Sequence, residues 1–467
     1  MKYIVFTFDG SGTPVAQHLQ MEGQDVVLAQ VEHMKSLAAV GDDIYAEGRS
    51  DKEMRLMAFD GIVKKRWAEE VIKEMKTYKN PQDYFVFFDT NGLYALSEQI
   101  KDLGFHGNFP TREDYLYESD RDKAKEFVKK HYSKLNIARK KEFAKAADAK
   151  KFLADTDEIW VLKGNSDTVT AFVPDVDDPI LAARQVIETL EKEVDGYESE
   201  GFILELLIPS VMEITPEKIY YDGVPIAVTI DIENKPLGSG NISIQTGCAA
   251  DLVFPIADTD RIAQTAFPPI VDELAKQHKG LFYWDASILI NKRDGKMYFG
   301  EFCPNRPGYN AIFTEFAQCG SVHEYFEKVS QKKNPFTLGT VASSIKIFNM
   351  HRNNETQQIL GGLTIDFAPE VEKDVWLWDA RKKGKKLVNT GYGDIIAVIT
   401  GSGKSVEEAV NRMYRTLGKF SFLEAYYRPK ADYLSLGYST SILNRLNYGM
   451  ERGLYQIPFN VKVGDII

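Results

Sequence analysis

The chain opens by alternating short apolar runs of β type with an amphipathic stretch, and this order is its strongest constraint on fold. KYIVFT (2–7) leads through Asp9-Gly10-Ser11-Gly12 into an amphipathic segment that ends near Met21 and Gly23; DVVLAQ (25–30) and YFVFF (84–88) follow. Strands alternating with helices favour a parallel sheet, so the N-terminus is expected to be α/β. The glycine loop lacks the third Gly of a dinucleotide fingerprint, because position 15 is Val. Either the N–H groups of Gly10, Ser11, Gly12 and Thr13 face a phosphate or carboxylate at the helix N-terminus, or the glycines serve only a tight turn.

Further along, the Lys- and Ala-rich stretch from Asp120 to Leu153 has helical spacing in each half, with a break near Leu135–Ala138 that predicts two helices around a short strand. IWVLK (159–163) reads as a strand. The next segment has Asp178 and Pro179 at the start of a helix whose apolar face is expected to hold Ile180, Ala183, Ile187, Leu190 and Val194. FILELLI (202–208), a hairpin at Tyr221-Asp222-Gly223 and a helix over about 258–278 follow. Beyond Pro335, strand-like SSIKIFNM and IIAVIT and a helix over 405–417, capped by Ser405 and Glu408, suggest a separate small α+β domain. GSGKS (401–405) is not a P-loop, since Val398 stands where that motif needs Gly.

Composition narrows the function classes. With 57 Lys and Arg against 68 Asp and Glu the net charge is −11, a repulsive average field for duplex nucleic acid or an anionic membrane. Three cysteines without CxxC spacing in 467 residues fit a reducing cytoplasm, and the seven histidines never fall at zinc-hydrolase spacing. No segment approaches the length of apolar sequence that a membrane span needs.

The chemistry concentrates in WDASILINKRDGKMYFGEFCPNRPG (284–308). If Asn291–Gly295 form the hairpin loop, Ile290 pairs with Lys296 and Asp285 lies across from Glu301. Two carboxylates so placed repel each other unless a cation or proton sits between them, and an oxygen-only pair favours a hard ion such as Mg²⁺, with Asn305 as a further oxygen donor. The alternative is an acid at a strand end in water and an ordinary surface ion pair.

Asp285, a DG hairpin, Glu301 and then Asn305-Arg306-Pro307-Gly308 resemble the metal-binding hairpin of ATP-grasp enzymes. TREDYLYESDRDKAKEFVKKH, EIWVLKG, GFILELLIPSVMEIT and the block GYGDIIAVITGSGKSVEEAVNRMYRTLGKFSFLEAYYRPKAD are similar, in order, to blocks of the glycinamide ribonucleotide synthetase family. The resemblance implies a multidomain α/β and α+β chain: an N-terminal parallel-sheet domain (1–110), an ATP-grasp domain (111–340) with a lid over about 120–200, and a C-terminal α+β domain with its tail (341–467). It implies ATP and Mg²⁺ or Mn²⁺ as cofactors. Asp285, Glu301 and Asn305 would hold the metal, and Lys163, Glu205, Glu213 and Arg121 the nucleotide; Arg306 would neutralise the transferred phosphoryl group, with Lys235 near the phosphates and Gly10–Thr13 at a substrate phosphate.

The implied reaction is amide formation through an acyl phosphate by a cytoplasmic monomer or dimer acting on small molecules (ATP, an amino acid and an amine), most like phosphoribosylamine and glycine. Rival readings are a ligase for another amine or amino acid, a phosphotransferase, and a nucleotide-binding protein with degenerate catalysis. Departures from the family motivate these rivals: Cys303 stands where the second oxygen ligand is expected, Gly164-Asn-Ser-Asp-Thr replaces the glycine-rich lid, and the N-terminal turn lacks the family's Arg and His.

Overall fold

The computed structural model describes residues 1–8, 10–31, 57–164, 171–306, 311–337, 339–353, 359–457 and 459. Asp9, Pro307, Gly308 and the lid residues 165–168 therefore lie outside the described residues. The chain divides into two units, one formed by Met1–Tyr115, Thr215–Asp285 and Cys303–Ile467 and the other by Leu116–Ile214 and Ala286–Phe302.

In the first unit the N-terminal runs form β1 (Lys2–Thr7), β2 (Val26–Gln30), β3 (Lys65–Trp67), β4 (Tyr84–Phe88) and β5 (His106–Gly107), a parallel sheet in the order β3-β2-β1-β4-β5. Phe6, Phe88 and Val86 pack with Val71, Ile72 and Met75 of the helix Ala68–Met75, so the apolar faces of strand and helix make one core. The helix Thr13–Met21 is clasped by the distant chain. His18 stacks on Trp376 with ring centroids 3.6 Å apart and its Nε2 lies 3.2 Å from the Val375 carbonyl oxygen. Burial pushes this imidazole down to about 4. Glu22, just past the helix, accepts hydrogen bonds from the N–H groups of Val322 and His323 at 2.9 and 2.8 Å, which satisfies the start of the helix Val322–Ser330.

The second unit holds β6 (Lys140–Phe143), β7 (Trp160–Gly164) and β8 (Phe202–Leu206) as an antiparallel sheet in the order β6-β8-β7. The helices Arg121–His131 and Ala146–Ala154 flank β6, as the two halves of the Lys-Ala stretch predict. Asp178 caps the helix Pro179–Lys192 by accepting from the Leu181 N–H at 2.9 Å. Ala182, Val186 and Leu190 are buried and the expected Ala183, Ile187 and Val194 pack against the same core, but Ile180 is 72% exposed. The proline at N1 leaves Ile180 on the free first turn, outside the core of Trp160, Leu162 and Phe202.

The middle and end of the chain supply long antiparallel strands: β9 (Ser210–Tyr221), β10 (Val224–Gly238), β11 (Ile242–Ile256), β12 (Leu281–Asn291), β13 (Met297–Phe302) and β14 (Val341–Asn349). Asp222 and Gly223 both have positive φ, the conformation that a two-residue β9–β10 turn requires. After β14 come β15 (Thr364–Phe367), β16 (Val375–Leu377), β17 (Arg381–Lys383), β18 (Lys386–Val388), β19 (Ile395–Gly403) and β20 (Phe420–Phe422). Because β14 pairs with β11 and β19 pairs with β14, the C-terminal strands extend the sheet of the middle segment, where a separate domain was expected. GSG of GSGKS ends β19, and Ser405 caps Val406–Leu417 by accepting from Glu408 N–H at 3.1 Å. The single helix expected over 258–278 is two, Arg261–Ala266 and Pro269–Ala275, because Pro268 and Pro269 interrupt the backbone hydrogen bonds.

Arg428 is fully buried. It ion-pairs with Asp432 at 2.9 Å and donates to the Pro236 carbonyl at 2.6 Å and to Asn241 Oδ1 at 2.9 Å, which ties the C-terminal segment to the tip of the β10–β11 hairpin. Among the described residues no helix is long and apolar enough to cross a membrane.

Candidate active site

In the second unit, β7 and β8 run antiparallel with Val161 opposite Glu205 and Lys163 opposite Ile203. Lys163 and Glu205 are thus diagonal neighbours on one face and form an ion pair. The helix Arg121–His131 brings a second ammonium, Lys125, to the same carboxylate. Burial works to raise the Glu205 pKa, but the attraction of Lys163 and then Lys125 outweighs it and holds the carboxyl below its ordinary value. Burial lowers the Lys125 ammonium in spite of Glu205. Arg121, Lys125, Lys163 and Glu301 line one cavity of about 100 Å³ together with Tyr117 and Phe302. The walls thus combine three cationic side chains, two of them paired to Glu205, with the carboxylates of Glu118 and Glu301 and aromatic rings. Glu213, on β9, accepts a hydrogen bond from the Ser287 hydroxyl of β12 in this same unit.

The first unit holds Asp285, Asn305, Arg306 and Lys235. Asp285 is 6% exposed on β12, and its carbonyl accepts from Cys303 N–H at 3.4 Å. Asn305 is fully buried in a left-handed conformation, φ 55°. Its N–H donates to the Tyr283 carbonyl at 2.8 Å and its Nδ2 lies 3.3 Å from Asp114, which also meets His278 Nε2 at 3.0 Å. Burial works to lower the His278 pKa, yet Asp114 raises it above its ordinary value. Asn305 Oδ1, by contrast, is buried with no hydrogen-bond partner. A buried amide oxygen that no donor satisfies suits a hard cation, so Asn305 fits the Mg²⁺ role expected of it. Arg306 is half-buried, as is Lys235, whose carbonyl accepts from Thr246 Oγ1 at 2.6 Å.

Two expectations need correction. The β12–β13 register sets Ile290 against Met297, one residue from the expected Lys296, and an irregularity between Ala286 and Ile288 leaves Ala286 against Phe302. Asp285 therefore has Cys303 as its main-chain partner, and the cross-strand pairing with Glu301 is not formed. The loop closes with Gly295 N–H on the Asn291 carbonyl while Asn291 N–H takes that of Lys296, which moves the first ladder pair outward. The turn at Gly10–Thr13 is not an open anion seat either. Gly12 N–H donates to Asp89 Oδ2 at 3.0 Å, Gly10 N–H to Thr7 Oγ1 at 3.1 Å and Thr13 N–H to the Gly10 carbonyl at 3.1 Å, and all four residues are buried. The carboxylate that the turn receives is the chain's own.

No protein-family model matches the chain, and no curated protein matches its sequence. Among solved structures it is similar to phosphoribosylamine–glycine ligase of Thermotoga maritima, with a TM-score of 0.59 at 13% identity over 92% of this chain and 99% of that one. It is similar to a biotin carboxylase–ATP complex of Campylobacter jejuni, with a TM-score of 0.57 at 14% identity over 97% of each chain. An L-amino acid ligase of Bacillus licheniformis gives 0.50 at 14% identity over 91% of this chain and 98% of that one. The chain has the ATP-grasp fold. Within this ATP-grasp chain Lys125 is the residue lining the cavity beside Arg121 and Lys163 that sequence reasoning did not single out. Its signal was the spacing Arg121, Lys125, which sets two cations one turn apart on one helix face.

Proposed function

We propose that this chain is an ATP-dependent ligase that joins a carboxylate to an amine. The observation that carries the reading is the gathering of Arg121, Lys125 and Lys163 with Glu301 around one cavity, on a fold whose neighbours include a ligase for phosphoribosylamine and glycine and a carboxylase in complex with an ATP form. In this reading the carboxylate attacks the γ-phosphorus of ATP, ADP leaves, the amine attacks the resulting acyl phosphate and inorganic phosphate departs. The cationic side chains bind the phosphates and offset their charge, while Glu205 keeps the two lysines from swinging into water. Arg306 neutralises the transferred group, Lys235 sits near the phosphates, and Glu213 receives ribose hydroxyls. By the family resemblance Asp285, Glu301 and Asn305 would hold Mg²⁺, which would neutralise charge on the phosphates.

Phosphoribosylamine and glycine are the leading substrates, supported by the resemblance of the sequence blocks and by the first of the structural neighbours. A ligase for a non-phosphorylated amine is the second reading, favoured by one observation: the Gly10–Thr13 turn spends its N–H groups on internal acceptors. The test is phosphate release with ATP and Mg²⁺ across amino acids, with and without phosphoribosylamine, followed by the mass of the product. Release that requires an amine and yields an amide supports a ligase. ADP formation independent of any amine points to a phosphotransferase, and ATP binding without turnover to a degenerate enzyme.

A further inference from the structure

On the antiparallel sheet of the first unit, Asp231 and Glu233 project from one face of β10, two residues apart. They stand opposite Val253 and Asp251 of β11, and just beyond them β11 loses register between the pairs Asn234–Ala250 and Pro236–Gln245, so it carries extra residues through Thr246–Ala249. Bulges of this kind re-aim a side chain, and Gly247, in the left-handed conformation at φ 75°, makes the bend immediately before Cys248. The result is a thiol brought to two carboxylates: one ligand atom from each of Asp231, Glu233 and Cys248 lies within 4.8 Å of the others. Donors on opposite sides of an ion with bonds of ~2.0–2.3 Å stand at most about 4.6 Å apart, so small side-chain rotations complete the set.

A second observation points to a ligand here. Asp231 is 7% exposed, and its Oδ1 has no hydrogen-bond partner. Burying a carboxylate oxygen that nothing satisfies is costly, and a cation removes the cost. Glu233 takes the hydroxyl of Thr215 on one oxygen at 2.9 Å, which orients it, and it is half-buried, so the cluster has a way in. Two ammoniums act on the cluster, Lys346 of the adjacent strand, 1% exposed, on Cys248 and Glu233, and Lys235 on Asp231, while Asp251 and Asp285 add negative charge.

We propose that Asp231, Glu233 and Cys248 bind a borderline divalent cation of the Zn²⁺ or Co²⁺ type. Two carboxylates and a thiolate make three protein ligands with room for a water, and the sulfur selects against Mg²⁺. None of its three ligands is among the residues expected to hold Mg²⁺, although the Asp285 carboxylate adds to the negative field on Asp231, and the proposal does not depend on the ligase reading.

The experiment uses the full chain, stripped with a chelator and titrated with Co²⁺ in the absence of nucleotide. One Co²⁺ per chain is expected, with a near-ultraviolet sulfur-to-cobalt charge-transfer band that Zn²⁺ abolishes by displacement and excess Mg²⁺ leaves in place. Cys248→Ser should lose the band while Cys303→Ser keeps it. Asp231→Asn should weaken binding roughly tenfold or more, at least the effect of losing a partner one shell further out. Glu233→Gln, at a half-buried position, gives the same reading if the Asp231 variant does not fold. Absence of the band, a band that follows Cys303 or Cys319, or affinity unchanged in Cys248→Ser would overturn the site.

Discussion

Glu205 and Lys163 meet diagonally across two antiparallel strands, and the same carboxylate also takes Lys125. Removing the Lys163 ammonium should weaken ATP binding by about 1–3 kcal/mol, the scale of a charge-assisted hydrogen bond. Isothermal titration calorimetry on Lys163→Ala and Lys125→Ala checks this, and wild-type affinity in both would remove the cavity from the nucleotide site. Glu205 also has a pH signature. Its folded pKa is depressed, so its contribution to stability is complete above the ordinary value of 4.5 and is lost as the pH falls through the lower folded value. Glu205→Gln should abolish that part of the acid transition.

The buried acids Glu217 and Glu315 give the opposite slope. Burial raises Glu315 to about 7 and, with Glu315 itself and Asp285 beside it, pushes Glu217 well up. Groups raised in the folded state keep protons that the unfolded chain releases above 4.5, so they reduce stability as the pH rises from there towards about 7. Glu217→Gln retains a donor towards Glu315 and should flatten that decline. Urea denaturation on either side of the window measures it; an unchanged slope would assign the decline to other groups.

For the expected Mg²⁺ ligands, Glu301→Gln should reduce turnover by roughly a hundredfold or more, the scale of a lost transition-state stabiliser, with the fold intact by circular dichroism. Asn305→Ala should be as severe, because it deletes the buried Oδ1. Cys303→Ser should be mild. If the ranking of the last two is reversed, the ligand is at position 303.

Gly12→Val tests the turn. A Cβ at position 12 would stand 3.1 Å from Asp89 Cβ and from Val5 Cγ1, so the larger side chain should cost about 1–3 kcal/mol of stability by overpacking. In the folded fraction the KM for the amine should stay near that of the wild type. A stable Gly12→Val enzyme with a raised amine KM would restore the turn as a substrate seat.

Arg428→Ala should cost about 3–5 kcal/mol, because it strands buried Asp432 without its cation. Thermal and urea melts check it, and a loss below 1 kcal/mol, about what an exposed ion pair is worth, would mean that Asp432 is satisfied elsewhere.

Legibility followed the range of the forces involved. The parallel opening, the helices around Lys140–Phe143, the Asp178 and Ser405 caps and the Asp222-Gly223 turn are set by residues within a turn or two of each other, and the sequence displays them. The hairpin register was missed by one residue at Ile290 because loop closure by Asn291 and Gly295 is a matter of backbone hydrogen bonds that composition does not encode. Asp89 filling the Gly12 turn, and Lys125 joining Glu205, depend on partners 77 and 80 residues away, beyond what periodicity can report. The family resemblance found Arg121, Lys163 and Glu301 as residues and said nothing of their shared cavity.

The clasp on the first helix has a consequence for how the chain is made. His18 and the Val375 carbonyl are 357 residues apart, so at ~5–20 residues per second on the ribosome the imidazole waits roughly 20–70 seconds for its partner to be synthesised. Throughout that interval an aromatic ring built for a dry stacking position stands uncovered, until Val375 and Trp376 are made and close over it.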